Sequence, residues 1–431
     1  MKNFLIKGGR LVDPAQGIDG KFDIAMADGK VSWIGAGEPP KNDYTVIDAT
    51  NLTVTPGFID LHTHLRQPGF EEKETISTGT AAAARGGFTT ICSMPNTNPA
   101  VDNRATVDYV KCVASREAVV RVLPIGCISK GRRGETLAEL GEMAGAGVIG
   151  FSDDGSPVPG ARLMKQAMEY AAGLNLPIID HCEEPSLAEG GQINEGIVAT
   201  RLGLAGIPNA AEETMIARDI ALAKLTGARL HLCHISSKGS IDLIRAAKTG
   251  GLKLTAEVTP HHLTLTEERC LGYDTNAKVN PPLRTYADIE ALIGALLDGT
   301  IDAIATDHAP HTENDKCCEF ALAPFGISGL ETAFGSLMKL VHSGKMPLPL
   351  IVEKLTAGPA RVLGNGFETA GSLKVGNPAD LVISDPAAEW IVETAKFASK
   401  GKNSPLAGEK LKGKVIVTIY NGNIVHEEDI R

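Results

Sequence analysis

A run of about 18 apolar residues, the minimum for a membrane-spanning helix, is missing from this 431-residue chain. The opening Met1-Lys-Asn-Phe-Leu-Ile-Lys-Gly-Gly9 is too poor in apolar residues for a secretory signal. The eight cysteines lack the regular spacing of a disulfide framework, and Cys317 and Cys318, being adjacent, are unsuited to pairing with each other. Reduced thiols in a reducing compartment are expected, which places the chain in the cytoplasm. An excess of positive charge is also missing. The formal net charge of −10 argues against nucleic acid and anionic membranes as partners. It leaves a small acidic substrate open, because one arginine inside a cleft outweighs a distant, screened surface field. Internal repeats and low-complexity segments are absent as well, and 401–405 reads as a polar surface loop.

What is present is a soluble globular composition, 43% hydrophobic with near-zero mean hydropathy. The length suits one large core plus something smaller. Residues 1–55 read as short strands, with a Gly-containing hairpin turn at Ala27-Asp28-Gly29-Lys30 and no helix-length pattern. From Pro56 the character changes. Eight apolar strand candidates follow, at 58–62, 89–94, 119–125, 148–152, 177–181, 229–234, 253–258 and 301–306. Helical stretches such as 104–118, 161–174, 212–226 and 287–297 separate most of them. Eight βα units in succession are what an α/β fold of the parallel (β/α)₈, TIM-like barrel type needs. The irregular spacing alone would also allow a doubly wound sheet. Past Gly366 the strand-and-turn style returns, at 371–375, 379–384 and 415–420. The expected division is therefore a small composite β domain from 1–55 together with 366–431, beside a catalytic barrel over 56–365.

The barrel is favoured by what stands at the strand ends. Gly57-Phe-Ile-Asp-Leu-His-Thr-His64 ends in two histidines one residue apart, which a β-strand points to the same face. Of eleven histidines, eight fall at or just beyond predicted strand ends: His62, His64, His181, His234, His261, His262, His308 and His311. Acidic partners follow at Asp153-Asp154 and Asp307. Four histidines with two carboxylates suit a pair of divalent borderline metals, zinc (Zn2+) first. Each member has an ordinary reading too: His181 and His234 as strand-end histidines bonded to backbone, His231 as a packed barrel residue. Cys182 and Cys233 flank the ligands and, by strand alternation, should point away from them. Asp307 ends a strongly apolar strand, where an unpaired carboxylate is costly, so a metal or a proton-transfer task explains it better.

These residues match a family pattern. Pro56-Gly-Phe-Ile-Asp-Leu-His-Thr-His-Leu-Arg66, Ser93-Met-Pro-Asn-Thr97, Phe151-Ser-Asp-Asp-Gly155, Asp180-His-Cys-Glu183, Cys233-His-Ile-Ser236, Asn280-Pro-Pro-Leu-Arg284 and Thr306-Asp-His-Ala-Pro-His311 occur in order along the chain. The chain resembles the amidohydrolase superfamily and, within it, the bacterial class I dihydroorotases. The resemblance implies a zinc-dependent cyclic amidohydrolase that interconverts N-carbamoyl-L-aspartate and L-dihydroorotate in pyrimidine (UMP) biosynthesis. It makes His62 and His64 ligands of one zinc, and His181 and His234 ligands of a second, with one zinc per subunit as the alternative. Asp307 would bind the first zinc and act as general base, and Asp154, chosen over Asp153 by its place in the family pattern, would bridge the metals. Hydantoinases and class II dihydroorotases bridge theirs with a carboxylated lysine, and 151–155 contains no lysine.

On the substrate side the resemblance assigns Arg66, Asn96 and His311 to the substrate carboxylate, with His64 adjoining. It assigns Asn280 and the backbone near Phe325 and Gly326 to the ring amide. Segments 69–74 and 312–320 are candidate mobile loops over the site. The family precedent for partners is a homodimer, in some members in complex with aspartate transcarbamoylase. Two other readings stay open: a hydantoinase- or allantoinase-like hydrolase, and a non-catalytic homologue that partners aspartate transcarbamoylase. The retained His62, His64, His181, His234 and Asp307 weigh against the last.

Overall fold

The computed structural model describes residues 2–428 apart from 365 and 368. Position 368 and the final three residues of the expected 366–431 segment lie outside the described residues. Parallel pairing in chain order dominates the middle of the chain. Strand Phe58–Thr63 pairs with Phe88–Ser93, and that strand with Arg121–Pro124. Ile178–Asp180, Leu230–Leu232, Leu254–Val258 and Ala303–Ile304 pair successively in the same sense. A parallel bridge between Thr63 and His308 returns the series to its first strand, with the His64 N–H bonded to His308 O at 2.8 Å.

The stretch 148–152 departs from expectation. It forms no strand, only single bridges from Phe151 to Gly126 and to Ile178. It is nevertheless bonded to both neighbours, through Gly126 N to Gly150 O at 3.0 Å and Phe151 N to Pro177 O at 3.1 Å. A Cβ on Gly150 would lie 2.7 Å from Ile179 Cδ1, so glycine is what admits this close approach. The ladder is interrupted, but the segment still sits between its expected neighbours.

Side chains of these strands sort with period two. Ile59, Leu61, Cys92, Ile125, Ile179, Cys233, Ala303 and Ala305 share one buried cluster. Ile91, Ile178, Leu230, Leu232, Ala256 and Ile304 belong to another, with helix residues such as Val107, Met168, Met215, Ile244 and Leu292. The intervening helices start where side chains satisfy free N–H groups. Asn103 caps Arg104–Glu117, Ser237 caps Lys238–Thr249, and Thr285 forms a capping box with Asp288 on Tyr286–Leu297. At the paired glycines that end helices, the second carries the left-handed turn: Gly87 has φ +90° and Gly251 φ +77°.

The chain ends share a sheet of six strands, ordered Asn423–Glu427, Lys410–Tyr420, Leu381–Ile391, Thr53–Pro56, Arg10–Asp13, Ile18–Lys21. Leu381 faces Pro56 across the antiparallel join. A second sheet holds Lys30–Gly35, Asp23–Ala27, Phe4–Lys7 and Thr45–Asp48. Their common core is drawn from both ends of the chain, with Ile6, Leu11, Ile24 and Val54 packed with Leu373, Leu381, Ile383, Val417 and Ile419. The strand expected at 371–375 is absent: Leu373 is buried in this core by an irregular segment whose N–H bonds to Asp13 Oδ2 at 2.7 Å.

Candidate active site

Six side chains from five segments of the chain converge. His62 Nε2 lies 3.3 Å from Asp154 Oδ1 and 3.5 Å from Asp307 Oδ1. His64 Nε2 lies 3.0 Å from Asp307 Oδ1 and 3.4 Å from Asp154 Oδ2. On the other side of Asp154, its Oδ1 is 3.5 Å from His234 Nε2 and 3.7 Å from His181 Nδ1, and those two nitrogens are 2.9 Å apart. Asp154 thus faces both histidine pairs. Asp153 turns the other way and accepts hydrogen bonds from the Ile128 and Ser129 N–H groups at 2.9 and 3.1 Å. Local backbone does part of the aiming. His234 follows the inward Cys233 and would point outward by alternation; its φ of +35° breaks the strand pattern and brings its ring beside His62 and His181.

The site fits divalent cations. All six side chains are buried, and His62 Nε2 and Asp154 Oδ1 lack any hydrogen-bond partner. Buried polar atoms are normally paired, so convergent orphans mark a place for something the protein binds. Two groupings, His62 with His64 and Asp307, and His62 with Asp154 and His234, bring one ligand atom each to within 4.8 Å of one another. Burial would raise the Asp307 carboxyl, but the hydrogen bond from His64 and the positive fields of His62, His64 and His234 hold it below the usual carboxylate range. It is therefore ionised at neutral pH.

Residues outside the ligand set hold it in place. His62 Nδ1 lies 3.0 Å from Glu257 Oε1, and Glu257 Oε2 is 3.0 Å from His231 Nε2, whose Nδ1 reaches Thr255 Oγ1 at 2.9 Å. A carboxylate can only accept, so Nδ1 of His62 carries a proton and Nε2 is the atom turned to the site. Burial works against ionised Glu257, but the bonds to His231 and His62 prevail and hold its pKa at about 2. His231 is thus the hydrogen-bonded residue its position suggested. Glu257 was not anticipated, although an acid between Ala256 and Val258 in an apolar strand was the available signal. Cys182 points away, toward Asp180 and Asp219. Cys233 contradicts the alternation argument, since its Sγ belongs to a group with His62 and Glu257 within 4.8 Å. His261, His262 and His308 stay outside the convergent set. His262 bonds to Thr259 and Pro281 O, and His308 faces Glu74 at 3.2 Å.

The substrate candidates line the same region. Asn96 Oδ1 is 2.8 Å from His64 Nδ1, so it orients His64 as Glu257 orients His62. Arg66 is nearly buried inside, donates only to Pro310 O at 3.3 Å, and lies 3.5 Å from His311 Nε2. Among the described residues no carboxylate comes within 4.0 Å of its guanidinium, so it takes part in no salt bridge there. Burial lowers its pKa to about 10, leaving it charged at neutral pH. Asn280 Nδ2 bonds Glu183 at 3.2 Å while its Oδ1 is unpaired. His311 Nε2 lies 2.8 Å from Phe325 O, and burial and the nearby Arg66 charge push its pKa down to about 3. Gly326 N–H is taken by Lys278 O at 2.9 Å, so of that backbone pair the amide at 326 is engaged internally. Arg132, also unanticipated, donates to Asp154 O at 2.5 Å and to Ser156 Oγ at 3.0 Å.

Comparison with known proteins agrees with this geometry. A family model described as dihydro-orotase-like matches residues 52–240. A dihydroorotase of Geobacter sp. (strain M21) is 51% identical over 425 residues, 99% of either chain. One from Thermoanaerobacter sp. (strain X514) is 53% identical over 426 residues, 99% of this chain and 97% of that one. Among solved structures, the L-hydantoinase (dihydropyrimidinase) from Arthrobacter aurescens superposes with a TM-score of 0.89 at 28% identity, covering 99% of this chain and 96% of that one. With half of its residues shared across nearly its whole length, the chain belongs to the dihydroorotase family.

Proposed function

We propose that this chain is a metal-dependent dihydroorotase that interconverts N-carbamoyl-L-aspartate and L-dihydroorotate. The observation that carries the reading is the convergence of four histidines and two carboxylates beside a partly buried arginine with no carboxylate partner among the described residues. His62, His64 and Asp307 would hold one zinc, His181 and His234 a second, with Asp154 between them. Divalent cations bound there supply Lewis acidity, making water nucleophilic near neutral pH and polarising a carbonyl oxygen.

The protein's own groups do the rest. Arg66 presents a planar fork to the substrate carboxylate, the recognition a guanidinium performs best. Asn96 and His311 adjoin it, and Asn280 Oδ1, unpaired, can accept from a ring N–H. Asp307 takes the proton released as water adds to the ring carbonyl carbon and passes it to the departing ring nitrogen. In the biosynthetic direction Asp307 works in reverse, and the chain closes to the ring.

The same reading covers architecture and setting. The parallel pairings that return from His308 to Thr63 support a closed (β/α)₈ barrel over 56–365, and the shared six-stranded sheet supports a small β domain from 1–55 and 366–431. Asp154 in a 151–155 stretch without lysine supports the class I form. All eight cysteines are free and, among the described residues, no helix is long and apolar enough to cross a membrane, in keeping with a cytoplasmic enzyme. A homodimer, and association with aspartate transcarbamoylase, complete the proposal by family precedent. Zinc analysis followed by hydrolysis assays on dihydroorotate, hydantoin and allantoin tests it. Preference for dihydroorotate is expected; preference for an uncharged ring would overturn the assignment in favour of a hydantoinase-like activity.

A further inference from the structure

The segment 401–405, between strands Leu381–Ile391 and Lys410–Tyr420, reads as a polar surface loop in sequence, yet Asn403 and Ser404 are buried, as is Ser399 just before it. The Asn403 side chain of this loop uses its entire hydrogen-bonding capacity on two other segments. Nδ2 donates to Ala309 O and to Gly326 O, both at 3.0 Å. Oδ1 accepts from His311 N–H at 2.9 Å and from Ser328 Oγ at 2.8 Å. The main chain adds a fifth bond, Ser328 N–H to Asn403 O at 2.8 Å. Gly401 permits the approach: a Cβ there would lie 2.4 Å from Pro310 Cβ and 2.6 Å from Ser328 Oγ. Further back, Glu331 accepts from the Ala398 and Ser399 N–H groups, each at 3.1 Å, and Ser399 Oγ donates to Glu74, the residue that faces His308.

We infer that Asn403 is a positioning residue for substrate binding: it sets the separation of His311 from Phe325 and Gly326, and so the shape of the cup that receives the substrate carboxylate and ring. It reaches neither group of the substrate itself. The inference rests on the proposed dihydroorotase reading. One link between the two segments, Ala309 N–H to Ile327 O at 2.9 Å, lies beside Asp307, while Asn403 ties them farther out, where His311 stands. Metal ligands are bonded elsewhere, so loss of the clamp should spare them.

Asn403→Asp tests this, because it keeps the size, keeps an acceptor and replaces both donated hydrogens with an oxygen facing two carbonyls. A group that binds ground and transition states alike raises KM when lost and leaves kcat, so KM for dihydroorotate should rise about tenfold with kcat within about threefold. Bound zinc should be unchanged, and amide hydrogen exchange in 309–312 and 325–328 should quicken while that of 58–63 does not. Unchanged KM and exchange overturn the inference, as does a parallel loss of kcat, zinc and thermal stability with KM constant. Should Asn403→Asp not fold, Ser328→Ala removes one bond donated to Asn403 Oδ1: a KM rise of about threefold supports the clamp, and no rise overturns it. Failure of the wild type to hydrolyse dihydroorotate would instead sink the functional reading, and unchanged exchange in the variant would then reject the clamp by itself.

Discussion

Asp307 occupies a place where two demands meet. It lies beside His64 and His62, proposed metal ligands, and it is the ionised carboxylate proposed to move the proton. Asp307→Asn keeps the shape and removes the basicity, so kcat should fall by about 10²–10⁴-fold, the span of general acid–base catalysis. Circular dichroism and melting should show a folded protein; near-normal turnover would reject Asp307 as the base. Glu257 acts one bond further out. Glu257→Gln can still accept from His62 or from His231, but it loses the charge that fixes the His62 proton on Nδ1. Zinc affinity, measured by competition with a chromogenic chelator, should weaken about 10- to 100-fold. Affinity equal to wild type would show that packing alone orients His62. Sequence exposed Asp307 because a carboxylate at an apolar strand end demands a partner. Glu257 obeys the same rule one strand earlier, but its partners, His62 and His231, become visible only when distant strands are brought side by side.

Elements with local signals were legible. The helices Arg104–Glu117, Ala161–Leu174, Asn209–Thr226 and Tyr286–Leu297 fall within three residues of expectation at each end, and the first and last start at capping side chains, Asn103 and Thr285, written directly before them. Segments whose conformation depends on remote partners were not. Residues 371–375 have a strand-like composition but are held by Asp13, more than 350 positions away, and 401–405 looks solvated although it is buried against Pro310 and Ser328. The segment 312–320, a candidate mobile loop, contains a short helix Glu313–Lys316 whose Lys316 is buried and donates from Nζ to Thr275 O at 3.0 Å and Pro324 O at 2.7 Å. Burial, with the nearby Lys278 charge, lowers the Lys316 pKa to about 7 from an ordinary 10.5. The undocked segment therefore binds more protons than the docked one between about pH 7 and 10.5, and docking strengthens as pH rises through that window. Proteolytic nicking within 312–320 should slow from pH 7 to pH 9, relative to a control peptide substrate. Lys316→Met should flatten that dependence; an equal slope in the variant would assign it to other groups.

At the scale of the whole molecule, the site gathers its proposed ligands from segments spread over more than two hundred residues, so metal binding there and folding would be coupled. Without a cation, Asp154 and Asp307 are buried within reach of the same two imidazole nitrogens, and like charges so placed repel in a medium that screens them poorly. The unfolded chain scatters the same ligands and binds cations weakly. A cation present at 100 times its Kd then stabilises the fold by about 2.7 kcal/mol. Unfolding entropy scales with chain length, so for a chain of this size that corresponds to a shift of roughly 3 °C in Tm. Removing zinc with a chelator should lower the melting midpoint by about that amount or more for tighter sites, and titrating zinc back should restore it in proportion to the logarithm of free zinc. Glu257→Gln should need proportionally more zinc for the same recovery, which joins the residue and the molecule in one measurement. A midpoint indifferent to demonstrated zinc removal would mean that the six ligands are held in place by the scaffold alone, and that the cation is bound without contributing to the stability of the fold.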